Sequence, residues 1–319
     1  MNEVKQKIAT RDAYGQALVE IGKYNKDLVV LDADLSKSTK TAGFAKAYPE
    51  RFINVGIAEQ NMVGVAAGLA VSGKIPFLSS FAVFATGRAF EQIRNSVAYS
   101  QNNVKIAATH AGITVGEDGG THQSVEDIAI MRTLPQMVVI VPCDATETKQ
   151  AVKSLVNLDG PAYLRLGRLA VPQISPEGYE FHLGKGVLLQ EGSDIVIFAC
   201  GMMVSVALEA AQILAAEGIA AAVANIHTIK PLDTQFIVNL AKICGAAVTV
   251  EEHSIIGGLG SAVAETLAEH CPVPLARVGV EDVFGQSGSP AELLDFYGLT
   301  PMGVVDKVKK VLAQKLPHK

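Results

Sequence analysis

Charge is scarce in this chain of 319 residues: Asp, Glu, Lys and Arg together make up 18% of it, against roughly 25% in an ordinary soluble domain. Hydrophobic residues reach 49%. That balance excludes a disordered chain, which needs low hydrophobicity and high charge. It points instead to surface covered by another subunit as well as by the core. Neither sign of charge is concentrated. Lys plus Arg number 27 against 32 for Asp plus Glu, a net charge of −5 with no basic block. The clustered positive face of a nucleic-acid binder is therefore missing. Cysteine is sparse and scattered, at Cys143, Cys200, Cys244 and Cys271, without CxxC spacing or a histidine pair of metal-ligand type. Such cysteines read as free thiols in a reducing cytoplasm. Long apolar runs are absent too. Stretches such as Ile219 to Ile226 and Leu78 to Ala85 fall well short of the roughly 20 residues that span a bilayer. The opening Met1-Asn2-Glu3-Val4-Lys5-Gln6-Lys7 has charges with no apolar segment behind them, so no signal peptide is expected.

What is present is a repeated alternation. Short apolar runs at Leu28 to Leu31, Phe52 to Val55, Ile75 to Phe81, Val104 to Thr109, Val138 to Val141 and Ala162 to Leu166 read as strands. Between them, Gln60 to Val71, Phe90 to Ser100 and Thr146 to Leu158 carry apolar residues at helical spacing. This alternation predicts an α/β chain with mostly parallel sheets covered on both faces. A length of 319 residues suits about two domains. A Gly- and Pro-rich break at Gly167 to Gly192 places the boundary, giving domains 1–185 and 186–319. In the second, Ile195 to Ala199, Ala221 to Ile226, Ala247 to Val250 and Leu275 to Val280 read as strands. Helices are expected over Val204 to Ala216, Thr234 to Ile243, Pro290 to Phe296 and Met302 to Leu312.

Open parallel sheets bind ligands beyond the carboxyl ends of their strands, so the loops after the strands hold the candidates. Gly56-Ile57-Ala58-Glu59-Gln60-Asn61 follows a strand and opens a helix, where the positive helix end favours a carboxylate. Ser79-Ser80-Phe81-Ala82-Val83-Phe84 carries two aromatics three apart, suited to core packing or to a flat wall for a heteroaromatic ring. The densest segment is His110 to Gln123, where glycines flank the acidic pair Glu117-Asp118 and a histidine stands near either end. Glycines admit a ligand close to the backbone, and the histidines and Asp118 supply proton donors and acceptors. The spacing matches no tetrahedral zinc site. Arg165 and Arg168 flank a strand end, fit either to fork a phosphate or to pair with a surface carboxylate. Gly257-Gly258-Leu259-Gly260-Ser261 has the look of a phosphate loop, but the adjacent Glu251-Glu252 would repel an anion. Tight packing is the better reading there.

In combination these residues resemble a family. Asn54-Val55-Gly56-Ile57-Ala58-Glu59-Gln60-Asn61, the Phe81/Phe84 pair and Gly116-Glu117-Asp118-Gly119-x-Thr121-His122-Gln123 are similar to the pyrimidine-binding domain of transketolases. The whole chain resembles the C-terminal subunit of split transketolases, its second part being the smaller C-terminal domain, which contributes little to the site. The resemblance implies dependence on thiamine diphosphate and transfer of a two-carbon ketol unit between sugar phosphates. Glu59 would hydrogen-bond N1′ of the aminopyrimidine, favouring the tautomer that removes the thiazolium C2 proton. Phe81 and Phe84 would pack against that ring, and Asp34 would lie at the cofactor and subunit interface. His110 and Arg168, with Arg11 and Ser38, would face the substrate phosphate. Asp118 would meet a sugar hydroxyl and His122 the reacting ketol carbon. Gly120 departs from the family's usual Pro, and Gly87 from a frequent aromatic.

The family holds the diphosphate through Mg²⁺ with a Gly-Asp-Gly motif, and no such tripeptide occurs here. The resemblance therefore implies a companion N-terminal subunit that supplies the diphosphate and metal half, in an α2β2 assembly. Other readings are a deoxyxylulose-phosphate synthase-like or 2-oxoacid dehydrogenase beta-like subunit, and a non-catalytic scaffold. His110 together with Asp118 argues against the first two, and the joint presence of Glu59, Phe81, Asp118 and His122 against the third.

Overall fold

The computed structural model describes residues 7–315. Its first sheet has seven strands in the order Thr228–Lys230, Val138–Ile140, Ala162–Arg165, Lys105–Ala108, Ile75–Ser79, Leu28–Asp32 and Phe52–Asn54. All neighbours are parallel except the first pair, which is antiparallel. The second sheet has five strands, Leu275–Val280, Ala247–Ser254, Ile195–Ala199, Ala221–Asn225 and Val187–Gln190, with only the last antiparallel to its neighbour. Every residue of Leu28–Asp32 and of Ile195–Ala199 is buried. Such unbroken burial is what parallel strands sandwiched between helices require. The expected α/β architecture of two open, mostly parallel sheets is the observed one.

Several elements differ from the reading of the pattern. A helix at Thr10–Gly22 packs Tyr14, Leu18 and Ile21 into the core; Gly15 and Gly22 interrupt its apolar period, which hid it. The segment expected as one helix from Phe90 is a short α-helical piece, Phe90–Gln92, followed by a π-helix at Ile93–Tyr99. A second π-helix occupies Val83–Arg88. Strand Thr228–Lys230 leaves the second sheet's neighbourhood and closes the edge of the first. The two halves consequently share apolar packing, with Ile106, Met131 and Leu134 in one cluster with Ile229, Ile237 and Val263.

This topology places the candidate loops side by side. The strands ending at Asn54, Asp32, Ser79, Ala108 and Arg165 are consecutive neighbours in the sheet. Their carboxyl ends lead respectively to Glu59, to Asp34 and Ser38, to Phe81 and Phe84, to His110 through His122, and to Arg168. Arg11 alone arrives from elsewhere, on the first turn of the helix Thr10–Gly22.

Candidate active site

Glu59 is the first residue of the helix Glu59–Val71 and is only 2% exposed. Burial of a carboxylate demands a partner, and Arg88 supplies it: one guanidinium nitrogen donates to both carboxylate oxygens, at 3.0 and 2.9 Å. The same guanidinium lies 4.6 Å above the ring of Phe84, in cation–π range. Arg88 itself is exposed, and its carbonyl accepts from the Gln60 side chain at 3.1 Å. Nothing in the amino-acid pattern marked Arg88. Arg88 closes the π-helix Val83–Arg88.

Beside this pair the aromatics form one continuous group. Phe81 and Phe84 stack with centroids 5.9 Å apart and 12° between planes. Phe81 also stacks on His110, at 3.8 Å and 23°. His122 meets Phe84 edge-on at 5.3 Å. The two histidines that bracket the glycine-rich segment thus converge on the phenylalanine pair.

His110 is held on both sides. Its Nε2 lies 2.9 Å from an Arg11 nitrogen, and its Nδ1 lies 2.8 Å from the Thr109 hydroxyl. Because a guanidinium only donates, Nε2 accepts, and this network puts the ring proton on Nδ1, directed at Thr109. Burial, followed by the positive charges of Arg11, Arg168 and Lys40, pushes its pKa down to about 3. His110 is therefore neutral at physiological pH. Consequently, an NMR titration should show no His110 step between about pH 5 and 8, the range in which an ordinary histidine changes charge; a step there would break the network.

Arg11 also donates to the Ser38 carbonyl at 3.1 Å, which gathers Arg11, Ser38 and His110. Lys40, paired with Asp12 at 3.1 Å, adds a cation that the sequence reading did not single out. Arg168 donates to the Val115 carbonyl and lies 3.6 Å from Glu117, so it reaches the glycine-rich loop. Asp34 follows the neighbouring strand Leu28–Asp32. It has a positive φ, and its amide donates to the Asn54 side chain at 3.1 Å. Asp118 is exposed on the turn closed by the Gly119 amide on the Gly116 carbonyl at 3.1 Å.

Arg165 settles between neither of its two expected roles. It is buried and pairs with the fully buried Asp127, at 2.7 and 3.1 Å. The glycine-rich turn at Gly257 to Ser261 is packed around a carboxylate, since Glu251 accepts from the amides of Leu259 and Gly260 at 2.8 and 2.7 Å. Gly120 is explained by a close approach: a Cβ there would lie 2.6 Å from the Gly285 carbonyl oxygen. A Cβ at Gly87 would meet open space.

Residues 6–173 match the transketolase pyrimidine-binding domain and residues 184–304 the transketolase C-terminal domain. The chain belongs to the transketolase family. It is 51% identical, over 96% of both chains, to a protein named as a transketolase C-terminal section in Methanocaldococcus jannaschii. It is 47% identical to a 6-deoxy-6-sulfo-D-fructose transketolase subunit of Clostridium sp. strain MSTE9, covering 96% of this chain and 95% of that one. A solved split-gene transketolase, described as an inactive beta4 tetramer, is 56% identical with a TM-score of 0.90, covering 98% of this chain and 100% of that one. A transketolase of Pichia stipitis superposes with a TM-score of 0.83 at 27% identity, and there this chain spans 47% of the other. Among the described residues, no helix is long and apolar enough to cross a membrane.

Proposed function

We propose that this chain is the pyrimidine-binding half of a split, thiamine diphosphate-dependent transketolase, moving a two-carbon ketol unit between a ketose phosphate and an aldose phosphate. The observation that carries the reading is the buried Glu59 carboxylate beside the Phe81–Phe84 stack, its charge met, among the described residues, by the exposed Arg88. Arg88 behaves as a stand-in there. Arg88 places a donor N–H at the carboxylate and its guanidinium over Phe84, where an aminopyrimidine would place its own N–H and its ring. The donor set therefore fits the cofactor's ring half. When bound, thiamine diphosphate supplies the nucleophilic carbon and the electron sink.

Glu59 then holds a proton shared with N1′, and Phe81 and Phe84 set the ring plane. His122, edge-on to Phe84, would donate to the developing oxyanion. Asp118 accepts from a sugar hydroxyl, and Arg168 and Arg11 bind the terminal phosphate as charge-assisted donors. His110 belongs to that phosphate site by orienting Arg11. Asp34 would face the cofactor edge and the subunit boundary, and Ser38, beside Arg11, the substrate phosphate.

A companion N-terminal subunit, in an α2β2 arrangement, would hold the diphosphate and Mg²⁺. Three features support this: relatives are named as subunits or sections, full-length transketolases are about twice as long as this chain, and the Glu59 face carries an Ile57 that is 77% exposed. Four free cysteines fit a cytoplasmic setting.

The deciding experiment mixes the chain with a companion carrying the diphosphate-binding domain, adds thiamine diphosphate and Mg²⁺, and compares a ketose phosphate with pyruvate as donor. Ketol transfer only from the sugar, and only in the mixture, is expected. Tight cofactor binding and turnover by the isolated chain would overturn the split site. Arg168→Ala should mainly raise KM for phosphorylated donors, by roughly tenfold for a lost charged hydrogen bond; an unchanged KM would reassign that residue. Arg88→Met removes the competing donor, so calorimetry should show the assembled enzyme binding thiamine diphosphate more tightly. Weaker binding would instead place Arg88 among the cofactor's own contacts.

A further inference from the structure

We infer that the second domain positions the substrate loop, with Glu252 as the positioning residue. The inference rests on the reading that Asp118 and His122 touch the sugar. Glu252 is 5% exposed and lies on the strand Ala247–Ser254, yet its side chain turns into the first domain. Its Oε1 accepts from the Thr114 amide at 2.7 Å. The Glu252 carboxyl also fills the space beside Gly112, where any Cβ would collide with it, and Gly112 has a φ of 81°. The strand's own backbone is pinned in turn, because the Glu252 carbonyl accepts from Arg165 at 2.9 Å.

The far end of the loop is held by the same domain. Gln123 donates to the carbonyls of Ile113, Gly116 and Gln286, at 3.1, 3.2 and 3.0 Å. Ser287 donates its hydroxyl to the Glu117 carbonyl at 2.6 Å. Asp118 and His122 therefore ride on a loop gripped at its root by Glu252 and at its tip by the 285–288 segment. Loose glycine-rich backbone becomes a rigid platform through contacts made from another domain. A displacement of about 1 Å in a positioning group costs as much as a hundredfold in rate, so these contacts bear on turnover although none of them reaches the sugar.

The test uses the reconstituted complex, with D-fructose 6-phosphate as donor and D-ribose 5-phosphate as acceptor. Glu252→Ala should lower kcat/KM by roughly tenfold to a hundredfold, with thiamine diphosphate affinity and subunit assembly unchanged. Glu252→Gln keeps an acceptor for the Thr114 amide, so it should restore most of the loss. Should Glu252→Ala fail to fold, Ser287→Ala at the exposed loop tip should still raise KM severalfold without lowering the melting temperature. Normal kinetics in both Glu252→Ala and Ser287→Ala, or a Glu252→Gln as impaired as Glu252→Ala, would overturn the inference. An Asp118→Ala enzyme with an unaltered KM would instead remove the site reading beneath it.

Discussion

Replacing Glu59 with alanine is expected to cut turnover of the reconstituted complex by about 10²–10⁴-fold, the range for losing a positioned proton-transfer group. Assembly should survive. The carboxylate is buried at the start of a helix. Its hydrogen bonds run to Arg88, whose side chain is 48% exposed. A freed Arg88 can therefore be hydrated, and loss of such a half-exposed partner costs little stability. Glu59→Gln sharpens the test. The amide keeps the size and an acceptor but cannot hold the proton shared with N1′. Glu59→Gln should bind cofactor with at most a modest loss and still turn over as slowly as Glu59→Ala. A Glu59→Gln enzyme with near-normal kcat would show that the side chain serves binding alone.

How far such roles can be read before the chain is folded depends on the range of the interaction. The five loops that line the site could be placed because each follows an apolar run, and a parallel sheet delivers the carboxyl ends of its strands to one edge. The helix at Glu59 and the aromatic pair at Phe81 and Phe84 are local in the chain, and they were legible. Arg88 was not. Its contact with Glu59 spans 29 positions, and Arg88 closes a π-helix that no propensity scale distinguishes from an ordinary one. Glu252 meets Thr114 across 138 positions, and in the sequence it looked only like a charge that would repel an anion. Arg165 shows the same limit. A phosphate fork and a surface ion pair were both reasonable for an arginine at a strand end, and burial against Asp127 decided for neither. Glu252 and Ser287 of the second domain meet a backbone amide and a backbone carbonyl of the loop, and such groups carry no residue signature.

The buried pair also fixes where the fold is most vulnerable. Asp127→Ala is expected to destabilise the chain by about 3–5 kcal/mol, the usual cost of stranding one member of a buried ion pair, a large share of the roughly 5–15 kcal/mol that holds a domain together. Arg165 would lose bonds of 2.7 and 3.1 Å, and the buried Tyr163 hydroxyl its acceptor at 2.5 Å. The remaining hydrogen bonds of Arg165, to the carbonyls of Glu252 and Ser124, are to neutral groups. Urea unfolding at neutral pH should show the midpoint falling. The pH dependence gives an independent sign. Burial alone would raise the Asp127 pKa, but the charge and hydrogen bonds of Arg165, with the charge of His253 and the Tyr163 hydroxyl, leave the group below its ordinary value. A carboxyl depressed in the folded state contributes its full stability above the unfolded pKa, near 3.9 for an aspartate, and loses it as pH falls through the lower folded value. Wild type should therefore shed this contribution below about pH 4, whereas Asp127→Asn, already without the charge, should have a shallower acid limb. Parallel acid limbs for the two proteins would mean that Asp127 does not stabilise the fold through its charge.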